Sequence, residues 1–151
     1  MSDFVEVKTE ELVGPALDWA VAKSCGYECG RLPRIGNTFG CNLPNGLQYV
    51  IGRLCGASIA EELNARFFRP STDWAQGGPL LDKYDISLNG GFADGDWDRR
   101  VIYATLRDGN HGDYGQLALA TGPTRLISAC RAVVRYKLGD IVPVPKELTN
   151  D

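Results

Sequence analysis

The 151-residue sequence has one histidine, one methionine and no run approaching the ~18 consecutive apolar residues that a membrane helix needs. It also lacks the short motifs of hydrolytic, metalloprotease or phosphate-loop chemistry. There is no Gly-x-Ser-x-Gly, no His-Glu-x-x-His and no Gly-rich loop ending in Gly-Lys-Ser/Thr. The lone His111 falls in a Gly/Asp-rich run that reads as an exposed hairpin tip. No catalytic constellation can be assembled around it, and the chain reads as non-enzymatic. Positive charge is scarce: 16 Lys and Arg against 19 Asp and Glu leave a net charge of -3. That balance argues against a broad phosphate-backbone footprint, and so against nucleic acid as a partner. The opening residues, Met1 to Lys8, have neither a basic lead nor an apolar core, so no signal peptide is expected and the expected compartment is a cytoplasm.

Five cysteines (Cys25, Cys29, Cys41, Cys55 and Cys130) are an odd number for a disulfide framework, and a reducing compartment predicts free thiols. Cys25-x3-Cys29 has a zinc-like spacing, but thirteen residues separate Cys41 from Cys55, whereas structural zinc favours two tight knuckles. Small buried hydrophobes are the better reading, without metal or other cofactor. Asp94-x-Asp96-x-Asp98 opens like a calcium loop, but Arg99 stands at the glycine position and Thr105 at the bidentate glutamate, so the match fails.

What is present describes an ordinary globular domain, 44% hydrophobic and 23% charged, long enough to bury a proper core. Phe4 to Lys8 reads as a strand with Val5 and Val7 on one face. A helix is expected over Glu10 to Lys23 with Thr9 as N-cap, or from nearer Gly14, because Gly14-Pro15 interrupts the pattern. Residues 24–46, rich in Gly, Asn, Pro and Cys, read as an irregular excursion. Gly46 to Leu54 is a candidate strand, and Ser58 with Glu61 forms a capping box for a short helix through Arg66. Arg69 to Pro79 reads as a loop with one turn capped by Ser71 and ended by Gly77-Gly78-Pro79, with positive φ at one of the two glycines.

The second half is clearer. Asp98 to Arg107 and Gly115 to Thr121 read as an antiparallel hairpin joined around Asp108-Gly109. Pro123 to Leu138 is the best helix, with Leu126, Ile127, Cys130, Val133, Val134 and Leu138 on one face and Gly139 as its stop. Ile141 to Val144 closes as a short strand. Strands and helices do not alternate regularly, which predicts an α+β single domain over residues 1–151, an antiparallel or mixed sheet carrying two main helices.

Two segments have the make-up of a ligand site. The helix opening at Thr124 has no acidic residue in its first turn, so its free N–H groups and dipole favour an anion, with Arg125 and Arg131 nearby. The bland account has Thr124 capping the helix and the arginines solvated or paired. In the other segment, Asp73, Trp74, Gln76, Gly77 and Gly78 put a flat apolar ring among hydrogen-bonding neighbours. Its bland account has Trp74 plugging the core while the glycines turn the chain.

Three stretches together resemble a known family: Leu12 to Ala22 (LVGPALDWAVA), Pro70 to Pro79 (PSTDWAQGGP), and Gly122 to Arg131 (GPTRLISACR) with Lys137 to Asp140 (KLGD). In this order they are similar to the NinX-like proteins of tailed bacteriophages and prophages, over nearly the whole chain. The region from Cys25 to Arg66 is longer than is usual in that family, and its cysteines are not part of the pattern. Arg125 stands where members often carry a second proline, which favours Thr124 as N-cap. The resemblance implies a phage accessory role inside an infected bacterium and brings no activity with it. Residues and setting together lead to a non-catalytic binder of a small, anionic, nucleotide-like ligand, with sequestration of a host signalling nucleotide as one use. The competing expectation is an interaction module that inhibits or redirects a host enzyme. Self-association is left open.

Overall fold

The computed structural model describes residues 4–32, 38–44, 46–52, 66–92, 100–107 and 116–149. Strand β1 (Phe4–Lys8) pairs antiparallel with the last strand, β9 (Ile141–Pro145), in register from Phe4↔Pro145 to Lys8↔Ile141. Val5 and Val7 face inward beside the buried Val142 and Val144, as the alternation predicts.

Helix α1 runs Gly14–Ser24 with Pro15 in its first turn, so of the two expected starts the later one is observed. Thr9 does not cap it. Thr9 lies in a 3-10 turn over Thr9–Glu11, where its hydroxyl donates to Gly139 O at 2.6 Å and its N–H donates to Asp140 O at 2.8 Å. This bond pair ties the start of the chain to the end of the last helix. Val13 of the expected stripe is exposed, whereas every residue from Ala16 to Ala22 is buried, Asp18 included.

The described part of residues 24–46, expected as an irregular excursion, is largely strand. Strands β2 (Glu28–Leu32) and β3 (Thr38–Asn42) form an antiparallel ladder there, with Cys29 opposite Cys41. Strand β4 (Gln48–Ile51) adds antiparallel to β3, and β5 (Arg66–Phe67) adds parallel to β4. Arg66 is therefore in a strand rather than at a helix end, and the rest of the capping-box segment, 58–65, lies outside the described residues. So do His111, Cys55, Asp94, Asp96, Asp98 and the Asp108-Gly109 turn. Burial raises the thiols of this region, Cys29 to about 11 and Cys41 to about 12, with Cys25 raised in the same direction. All four described cysteines are free. Among the described residues no group of three or more His, Cys, Asp or Glu is arranged to hold a metal.

The loop expected over Arg69–Pro79 is largely helix. Helix α2 spans Trp74–Lys83, capped by Asp73, not Ser71, and it carries Gly77-Gly78-Pro79 inside it. Neither glycine has a positive φ. A Cβ on Gly77 would lie 2.2 Å from Pro70 O and 2.7 Å from Leu126 Cδ2, so what Gly77 supplies is close approach, not a turn.

Strand β6 (Ile86–Phe92), which the sequence pattern did not announce, joins β7 (Arg100–Arg107) and β8 (Gln116–Gly122) in an antiparallel sheet. The β7–β8 pairing is the expected hairpin. Helix α3 (Arg125–Leu138) lies across this sheet. Ala104 and Ala120 are register partners, and with Ala118 and Ala132 they pack in one buried cluster; such small side chains let helix and sheet approach closely. Cys130 and Val134 belong to a second cluster built around α1, so α3 joins the two parts of the core. Leu138, assigned to the buried face, is exposed, and Gly139 ends the helix at φ 95°. The result is an α+β fold, with three α-helices and three small sheets among the described residues where two main helices on one sheet were expected. Among the described residues no helix is long and apolar enough to cross a membrane.

Candidate functional site

The two candidate segments meet. A cleft of about 440 Å³ lies between the start of α2 and the start of α3, lined by Ser71, Thr72 and Trp74 on one side. Pro123, Thr124, Arg125, Leu126 and Ile127 form the other side, with Ile102 of β7 between. Trp74 does not plug the core; it is 52% exposed.

The α3 side is rigid for local reasons. Thr124 Oγ1 accepts the Ile127 N–H at 3.1 Å, and Ser128 N–H returns to Thr124 O. The buried Ser128 hydroxyl lies 2.8 Å from Ile102 O and 2.9 Å from Thr124 O, which pins the helix start to β7. Gly122 makes this possible, since a Cβ there would stand 2.9 Å from Ser128 Oγ. With Ile127 and Ser128 satisfied, the N–H groups of Arg125 and Leu126 have no acceptor among the described residues. The first turn holds no acid, and the Arg125 side chain is exposed. An anion at this helix start would meet two free donors, a positive dipole end and a guanidinium.

The Trp74 side is held by packing instead. Asp73 Oδ1 accepts Ala75 N–H at 2.9 Å and so caps α2 beside the cleft. Gln76 faces away from it: Oε1 accepts Arg69 N–H and Nε2 donates to Phe67 O, both at 2.7 Å. Gly77 is the contact point with Pro70 and Leu126, and a Cβ on Gly78 would stand 3.7 Å from Trp74 Cε3. Arg131 is buried, its Nε donating to Leu12 O at 2.9 Å and its Nη1 to Thr121 O at 2.7 Å. Burial pulls this guanidinium below its ordinary pKa, opposed by Glu10. Of the residues singled out from the sequence, Trp74, Thr124 and Arg125 thus line one cleft, and Asp73 borders it. Gln76, Gly77 and Arg131 hold its walls.

Sequence reasoning passed over Ser71, Thr72 and Ile102 as lining, and it missed Asp18. This carboxylate sits on α1, buried, and its Oδ1 accepts the N–H of Ser71 at 3.0 Å. Burial pushes its pKa up to about 7, against the opposing pull of the Ser71 N–H, the nearby Ser71 hydroxyl and Arg69. That hydroxyl stands beside the carboxylate without hydrogen-bonding alignment. The signal was an acid inside the apolar run Ala16 to Ala22.

No curated protein shows significant similarity to the chain. Residues 8–137, which include all the cleft-lining side chains, match the family described as "Bacteriophage P22, NinX". The match covers most of the sequence, both helix starts and the buried Asp18, and the chain therefore belongs to the bacteriophage P22 NinX family, a family of phage accessory proteins.

Proposed function

We propose that the cleft binds a small, anionic, nucleotide-like molecule without transforming it. The observation that carries this reading is the placement of a half-exposed indole and an acid-free helix start, with two N–H groups left over by the Thr124 cap and Arg125 beside them, on one cleft of ligand size. Trp74 offers the stacking face, and the N–H groups of Arg125 and Leu126 with the Arg125 guanidinium hold one phosphate. Among the described residues the lining carries no second cation, and the Asp73 carboxylate borders it, so a single phosphate suits it better than a polyphosphate chain. In an infected bacterium, such a protein would sequester a host signalling nucleotide in the cytoplasm.

A bound nucleotide stabilises the folded state by mass action, about 2.7 kcal/mol at a hundredfold excess over Kd. For a chain of this length that raises the melting temperature by roughly 5–10 °C. Thermal shifts across mononucleotides, dinucleotides and cyclic nucleotides, with sulfate as the plain anion, test this. Trp74→Ala and Arg125→Glu should each abolish the shift. Arg125→Glu should leave the unliganded protein no less stable, because an acid suits a helix N-terminus. The exposure of Trp74 also favours a second reading, an anchor for a host protein, since exposed tryptophans dominate many interfaces. If no nucleotide moves the transition further than sulfate does, the protein-partner reading replaces the first.

A further inference from the structure

We propose that anion binding in the cleft is coupled to proton uptake by Asp18, the buried carboxylate from which the Ser71 wall is hung. This rests on the ligand-binding reading above and adds a regulation to it. The geometry is direct. Asp18 lies in the core, yet its Oδ1 is 3.0 Å from the N–H of a residue that lines the cleft. The wall it holds runs through Ser71 and Thr72 to Trp74, the stacking side chain. It is also fixed from behind by Gln76, bonded to Phe67 O and Arg69 N–H.

Among the described residues, two ionisable groups interact with Asp18. Arg69, at the end of the same wall, favours the ionised form, and Cys130 of α3 faces it as a thiol that burial keeps neutral. Desolvation outweighs these partners, so the carboxylate changes charge near neutral pH, where an ordinary Asp does not.

Both protonation states keep the wall in place, because a carboxylic acid's carbonyl oxygen accepts the Ser71 N–H as a carboxylate oxygen does. What changes is the field in the cleft. An ionised Asp18 opposes an incoming anion, and a neutral one does not. By linkage, a bound anion must raise the pKa of Asp18 and so increase the fraction of the protein that carries a proton on that carboxylate. At an effective dielectric constant near 20, two unit charges on the order of 10 Å apart change affinity by roughly tenfold. Such coupling raises the Asp18 pKa by about one unit and takes up about half a proton per anion at pH 7.5.

The test uses the intact chain and two probes whose charge is constant between pH 5.5 and 8.5, sulfate and 3′,5′-cyclic AMP. Calorimetry at pH 7.5 in two non-competing buffers of different ionisation enthalpy reads proton uptake, and titrations at the two pH limits read affinity. We expect about half a proton taken up with cyclic AMP and about tenfold weaker binding at pH 8.5 than at pH 5.5, with a larger ratio for sulfate. Asp18→Asn, which keeps an acceptor for Ser71, should bind equally at both limits with no Asp18-linked uptake. Should that variant not fold, the Ser71 amide resonance of the unliganded wild type must still titrate near neutral pH and move its midpoint upward with cyclic AMP. Binding without proton uptake, at equal affinity across the range, overturns this inference and leaves the ligand reading intact. Absence of binding by either probe at every pH overturns both.

Discussion

Adjacent glycines in α2 give the sharpest test of the packing that builds the cleft, because the structure assigns them opposite responses to alanine. In a helix interior, Gly→Ala gains about 0.5–1 kcal/mol from backbone entropy. At Gly78 nothing opposes that gain, since the new Cβ would meet only Trp74 Cε3 at 3.7 Å, an ordinary contact. Gly78→Ala should therefore stabilise the protein by about 0.5–1 kcal/mol. At Gly77 the same methyl would lie 2.2 Å from Pro70 O, a backbone atom that cannot rotate away, and 2.7 Å from Leu126 Cδ2. Overpacking of this kind costs about 1–3 kcal/mol, and a clash with backbone lies at the upper end. After the propensity gain, Gly77→Ala should lose about 1–2 kcal/mol net. Urea unfolding followed by circular dichroism reads both variants, and the midpoints should move in opposite directions with unchanged slopes. A Gly77→Ala midpoint at or above wild type would refute the close approach of α2 to Pro70 and α3. Equal losses at both positions would instead restore a turn with positive φ.

Two further outcomes follow from buried polar groups. The Asp18 pKa is raised from an ordinary 3.8 to about 7, so between those values the folded state holds a proton the unfolded chain has released. Stability is therefore fully present below about pH 4 and falls as pH rises through about 7, by about 4 kcal/mol at most, while Asp18→Asn should be flat over that window. Urea midpoints at unit pH intervals check it, and equal slopes in both proteins would contradict the burial of an ionisable Asp18. Arg131→Met leaves Leu12 O and Thr121 O without their donors and should cost about 2–4 kcal/mol, whereas Arg125→Met should leave stability within about 0.5 kcal/mol. Similar losses at the two arginines would mean that Arg131 is not the buried tie.

The elements read correctly from the sequence are those whose causes are local. The alternation in Phe4–Lys8, the β-branched and aromatic run before Arg107, and the long apolar face of α3 act within a few residues of themselves. Thr124 as N-cap and Gly139 as stop were legible for the same reason, a hydroxyl three residues from its donor and a backbone angle that favours glycine. Other elements were misread because distant partners decide them. The Gly77-Gly78-Pro79 triplet has poor helix propensity, yet Asp73 caps the segment and the missing side chain at Gly77 lets Pro70 and Leu126 pack against it. Strand β6 hides behind Asn89-Gly90-Gly91, although a Cβ at Gly91 would run into the Tyr103 ring across the ladder, 2.6 Å from Cε2.

The candidate site divides along the same line. The sequence by itself determined its ingredients and the family: an acid-free helix start with Arg125, a tryptophan beside polar neighbours, and three stretches resembling NinX, a membership that residues 8–137 establish. Only the tertiary structure decided that Trp74 faces Thr124 across one cleft and that Gln76 and Arg131 serve its walls. It also decided that a core carboxylate lies directly behind Ser71. Helix starts, caps and strand faces follow from interactions a few residues apart. A cleft and a pKa depend on which distant segments exclude water together.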